Sequence, residues 1–152
     1  MDKRLKAFTI IEMLIVLGVL FLLGFLVLPI AVKEIQAGKT DSFIKDLDSA
    51  LRLLSQDAFS RKNDKDYGIA LFSDHYTIFV GPSLSEAEDE IVYEVVDDVV
   101  IQNIDLSDSG SEVVFLSGSQ KPDVYGSFEI VDLYSIYRFS INKEGLITYI
   151  KL

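Results

Sequence analysis

The chain has no cysteine, no tryptophan, one histidine and three prolines among its 152 residues. Without cysteine there can be no disulfide and no thiolate metal site, so a packed core must supply the stability of any folded part. The single histidine, His75, excludes a His-x-x-x-His metal pair. A catalytic role for it would need a nucleophile and an orienting acid to converge on it, and no pattern in the sequence offers them. His75 in "SDHY" therefore reads as a turn residue, and no enzyme activity is expected. There is no phosphate-binding glycine loop and no basic aromatic stripe. Positive charge is also scarce, with 14 Lys and Arg against 24 Asp and Glu, a formal net charge of −10. Residues 33–152 carry 11 of the basic and 22 of the acidic residues, a surface that repels phosphate backbones, so direct nucleic-acid binding is not expected.

What the sequence does have is one long apolar run. Met13 to Val32 are 20 residues without a charge. As a helix they would rise about 30 Å, the thickness of a bilayer core. A cleaved secretory signal has an apolar core of roughly 7–15 residues ending at a small-x-small site, and "EIQAG" matches such a site poorly. A plain single-pass anchor fits the length, but it leaves Glu12 unexplained. A carboxylate at membrane depth costs on the order of 2.5–3.5 kcal/mol at the centre and less near an interface, which marks Glu12 as a candidate functional residue. Lys3, Arg4 and Lys6 precede the run, and Lys33, Lys39 and Lys45 follow it. This is close to a tie, with the initiating amine tipping the N-terminus inward.

The short basic leader followed by "AFTIIEMLIV" resembles the N-terminal cleavage and methylation signature of type IV pilins and pseudopilins. The resemblance implies that a prepilin peptidase cuts between Ala7 and Phe8 and methylates the new amino group of Phe8. It implies that Glu12 serves assembly by facing the Phe8 amine of a neighbouring chain, and that Pro29 bends the helix. One departure is Ala7, where the family usually has glycine. "DLDSALRLLSQDAFSRKNDKDYGIALFSDHYTIFVG" is similar to the helix end and first hairpin of minor pseudopilins of the GspH/FimT type, and "GSFEIVDLYSIYRFSINKEGLITYIKL" is similar to the end of that domain. The likeness covers residues 1–80 most closely, then 112–152, and least the stretch between. The implied function is a structural subunit, a minor one, of a type IV pilus or a secretion or DNA-uptake pseudopilus. The implied partners are the peptidase, other pilin or pseudopilin subunits, an inner-membrane assembly platform and the lipid bilayer. The implied location is the bacterial cytoplasmic membrane, single-pass with the C-terminal domain outside, and then a pilus at the cell surface or a pseudopilus in the periplasm. A membrane-tethered binding or adhesin module is the alternative.

Beyond the run, Phe43, Leu47, Ala50, Leu51, Leu54 and Ala58 recur every three or four residues and form one apolar helix face. Asp41, Lys45, Asp48, Arg52 and Gln56 fall elsewhere. Pro29 removes a backbone donor and should bend the helix. The pattern predicts one helix from about Thr9 to Lys62, ended by "KNDKD". From Tyr67 the period changes to short runs rich in β-branched and aromatic residues: "GIALF", "YTIFV", "IVYEV", "VVIQNI", "EVVFL", "SFEIV", "IYRFSI" and "LITYI". Turn-forming clusters separate them. Asp105 to Glu112, "DLSDSGSE", has oxygen ligands that suit calcium but lacks EF-hand spacing, and it reads as a solvated hairpin loop. Ser85 to Glu90 reads as an acidic soluble loop. No metal or cofactor is expected. The expected fold is α+β: a long N-terminal transmembrane helix packed on a C-terminal antiparallel sheet or small sandwich. The expected divisions are a leader at 1–7, a transmembrane and filament-core helix at 8–32, and a head at 33–152 with helix to 62 and strands over 67–152.

Overall fold

The structure, a computed structural model, describes residues 9–96 and 98–152, with the side chains of residues 26–33 and 36 left outside the description. Helix α1 (Ile10–Phe59) is followed by eight strands: β1 (Tyr67–Leu71), β2 (His75–Val80), β3 (Asp89–Glu94), β4 (Val100–Leu106), β5 (Glu112–Phe115), β6 (Gly126–Val131), β7 (Ile136–Ile141) and β8 (Ile147–Lys151). The chain divides into two compact units, Met1–Gly38 and Lys39–Leu152.

The start of α1 follows from its sequence. The Thr9 hydroxyl accepts the Glu12 backbone N–H at 3.3 Å, and the Thr9 carbonyl accepts the Met13 N–H at 3.2 Å. This is the N-cap arrangement, in which a short polar side chain satisfies a donor that the first turn leaves without a helical partner. The far end comes at Phe59 and not at Lys62. Arg61 turns left-handed at φ 54°, and its N–H goes to the Ala58 carbonyl, which also accepts the Gly118 N–H.

No helix among the described residues is long and apolar enough to cross a membrane. This overturns the expected transmembrane helix, and with it the expected single-pass placement in the cytoplasmic membrane. Of the expected span, the described side chains are those from Met13 to Phe25. The rest of the expected span, to Val32, falls on side chains outside the described residues. The expectation for Pro29 falls there too, and the helix runs on through that position.

In the second unit the strands form two antiparallel four-stranded sheets, ordered β3-β2-β1-β5 and β4-β6-β7-β8. Phe43, Ile44, Leu47, Leu51, Leu54 and Ala58 of α1 join one core with Ile69, Tyr76 and Phe115 of the first sheet and Ile101, Phe128 and Phe139 of the second. β1 is buried along its whole length. Tyr67, Ile69 and Leu71 face that core, while Ala70 joins Phe79 and Val114 in a second cluster under Leu84 and Ala87. The strand carries glycine at position 68 because it is paired with Phe79, whose ring would lie 2.2 Å from any Cβ there. In the second sheet, Phe128, Phe139 and Tyr149 stack across three strands with ring centroids 5.1 Å apart at each step.

Candidate assembly site

The residue proposed for assembly lies in the first turn of α1. Glu12 is exposed and acidic at a helix start, where a negative charge complements the helix dipole. Thr9 and Glu12 also stand in the S/T-x-x-E spacing of a capping box, a local reason for a carboxylate at this position that needs no partner chain. That spacing was readable in "TIIE" and is what sequence reasoning missed. Ala7 and Phe8, the expected cleavage and methylation positions, lie outside the described residues.

The surface around Glu12 is apolar on every side. From Ile10, 83% exposed, to Phe25, 84% exposed, each described side chain in this stretch is open to solvent. A Cβ placed on Gly18 or Gly24 would meet nothing within 4 Å. An amphipathic surface helix shows one apolar stripe and one polar face, whereas a helix apolar all round is one whose whole circumference becomes buried. Contiguous exposed apolar surface of this kind marks an interaction site.

The other residues singled out in the sequence do not converge on one place. His75 opens β2, with its Nδ1 2.7 Å from Asp74 Oδ1 and its ring stacked on Phe72 at 4.4 Å. The hydrogen bond to His75 holds the Asp74 carboxyl below its ordinary range. In the 105–112 loop, Asp108 accepts the Gly110 N–H at 2.8 Å, and Glu112 accepts the Leu84 N–H at 3.0 Å. These carboxylates are spent on backbone donors, and no group of three metal-ligating side chains occurs among the described residues. In the 85–90 loop, Glu88 pairs with Lys65. Two open grooves lie within the second unit. One, of about 480 Å³, is lined by Arg52, Gln56, Phe59, Gln120 and Leu146. The other, of about 410 Å³, is lined by Ser83, Asp108, Glu112 and Asp123.

Sequence reasoning also missed two polar anchors. Glu129 is buried in the second sheet and accepts Arg138 Nη2 at 2.6 Å and Asn103 Nδ2 at 2.6 Å. Arg138 first, and Asn103 second, hold the Glu129 carboxyl below its usual range. Asn103 stands at φ 51° where the β4–β6 register shifts, so the carboxylate ties down the bulge. The Tyr137 hydroxyl donates to Asp41 Oδ1 at 2.5 Å, and Lys151 Nζ sits 5.1 Å from the centre of the Tyr137 ring. Cross-strand partners are non-local, and no local signal pointed to either anchor.

No protein-family model, curated protein or solved structure matches this chain.

Proposed function

We propose that this chain is a structural subunit of the type IV pilin-like kind, a minor subunit of a pilus or pseudopilus, which assembles through the N-terminal part of α1. A prepilin peptidase cuts between Ala7 and Phe8, and other pilin-like subunits supply the neighbouring helices. The observation that carries this reading is the all-round exposure of apolar side chains from Ile10 to Phe25. Each such side chain stabilises by about 1.5–3 kcal/mol when it becomes fully buried, and parallel helices of other subunits provide that burial. Glu12 then lies among apolar helices. There an opposite charge is attracted strongly because the effective dielectric is low, and an unpaired carboxylate is costly. The Phe8 amino group of a cleaved neighbour is the positive charge the reading assigns to it, so only processed chains would pair.

The test compares two substitutions, because Glu12 also sits at a capping position. Glu12→Gln keeps the capping-box residue type and removes the charge, while Glu12→Ala removes both. With the peptidase present, mass spectrometry of wild type and both variants should show a chain beginning at Phe8. Recovery in sheared filaments should fall about tenfold or more for both variants. Recovery of Glu12→Gln at the wild-type level would reject the charge pairing and leave Glu12 as a capping residue. An intact leader in cells with an active peptidase would reject the processing.

A further inference from the structure

The two sheets have four edges, and hydrogen bonds from elsewhere in the chain reach three of them. The outward side of β5 is taken by the chain itself: Val114 donates to Asp123 Oδ1 and accepts the Asp123 N–H, each at 2.9 Å. On β4 the Ile101 N–H goes to the Ser73 carbonyl at 3.1 Å, and the bulge at Asn103 breaks the line of the strand. On β8 the Ile147 carbonyl accepts Arg52 Nη2 at 3.0 Å, while among the described residues the outward backbone groups of Tyr149 and Lys151 show no hydrogen bond. Among the described residues, β3 alone shows no hydrogen bond on its outward side.

The direction of the free groups on β3 can be worked out. The Val95 N–H bonds the Asp74 carbonyl at 3.0 Å, and the register pairs Tyr93 with Tyr76, Ile91 with Ile78 and Asp89 with Val80. Antiparallel ladders alternate, so the odd-numbered residues bond to β2, and the N–H and C=O groups of Glu90, Val92 and Glu94 point away from the sheet. All six β3 residues are exposed, and the centre is apolar, with Ile91 57%, Val92 50% and Tyr93 40% exposed. The register to β2 is unbroken across all six positions, and the strand contains no proline, so nothing in it blocks a further strand.

We propose that β3 is a strand-addition site for an extended segment of another polypeptide that carries Lys or Arg on either side of an apolar residue at alternate positions. Main-chain bonds to Glu90, Val92 and Glu94 supply the affinity, and side chains on alternate positions supply the selection. Glu90, Val92 and Glu94 share one face of the strand, so a partner lying in register offers a basic residue, an apolar residue and a basic residue in turn. A second copy of β3 does not meet this requirement. In the antiparallel register centred on Val92, which bonds all three outward residues of each copy, Val92 faces Val92 and Glu90 faces Glu94 twice. Like charges directly opposed across strands are destabilising. The acidic ends thus guard the edge against self-association and leave it open to a basic partner. The site does not depend on the helix-based assembly reading.

The test uses the full chain in a non-ionic detergent and two acetylated, amidated peptides, TKTVTKT and TETVTET. TKTVTKT should slow hydrogen exchange at the amides of Glu90, Val92 and Glu94, and should bind at least tenfold more tightly than TETVTET. Val92→Pro removes only an outward donor, so it should abolish binding and leave the melt in place. The double variant Glu90→Lys, Glu94→Lys should reverse the preference between the peptides, and it carries the test if the proline variant does not fold. Unchanged exchange at saturating TKTVTKT, equal binding of the two peptides by wild type, or full binding by a folded Val92→Pro protein would each overturn the proposal.

Discussion

Leu20 and Leu51 are the same residue type in the same helix, yet Leu20 is 59% exposed while Leu51 is fully buried. Around Leu51 the apolar positions form a stripe that two sheets cover, with Asp46, Ser49 and Arg52 left outside. Around Leu20 there is no polar face at all. Hydropathy shows that both segments favour burial, but only the tertiary partners decide whether the chain itself supplies it. The second unit completes its own core. The apolar segment of the first is completed by other molecules in the reading proposed here.

The largest expected effect separates those two leucines. Leu51→Ala should cost about 2–5 kcal/mol in a urea titration followed by circular dichroism, because it leaves a cavity among packed side chains. Leu20→Ala should leave that transition within about 0.5 kcal/mol, as for an exposed position, while lowering recovery in filaments. Equal shifts of the transition would mean that the segment around Leu20 is part of the folded core, and the contrast would fail.

A smaller effect sharpens the account of the second unit. Gly68→Ala places a methyl group where the Phe79 ring now lies, 2.2 Å away, and overpacking of this kind costs about 1–3 kcal/mol. Gly68→Ala combined with Phe79→Leu should recover part of the loss. A single variant as stable as wild type would show that β1 and β2 shift apart freely.

The smallest effect is a pH dependence. The Glu129 carboxyl is held below its ordinary range by Arg138 and Asn103. A depressed pKa contributes stability that is present above the unfolded-state value and is lost as pH falls through the folded-state value. Acid titration of wild type should show this loss, and Glu129→Gln should lack that part of it. Identical acid limbs for the two proteins would remove the carboxylate from the account of the β4 bulge.

Periodicity made much of the second unit legible. The eight β-rich runs coincide with the eight strands, and the stripe from Phe43 to Ala58 faces the core. Ile44 is also buried and Ala50 is not fully so, because a stripe marks a face and the opposing surface sets its width. The helix end was read three residues late, since a left-handed Arg61 is a backbone event with no side-chain signature. The transmembrane expectation was an error of a different kind. It counted Met13 to Val32 as one apolar span, and no helix among the described residues has the length and apolarity to cross a membrane. For Glu12, the sequence offered a partner charge by resemblance and a capping box by spacing, and the hydrogen bond from its backbone N–H to the Thr9 hydroxyl is the N-cap half of that box.

The sequence by itself determined the local periods, the turn positions, the acidic balance and the absence of any covalent cross-link. These depend on residues close together in the chain, where backbone preference and side-chain spacing act directly. Only the tertiary structure decided that β1 lies between β2 and β5, that Glu129 holds Asn103 at a bulge, and that β3 stands at a sheet edge with its outward side unbonded among the described residues. Those outcomes depend on which distant segments meet. Many pairings satisfy the same alternation of apolar and polar residues, and the one adopted is chosen by how well all the buried faces fit together at once.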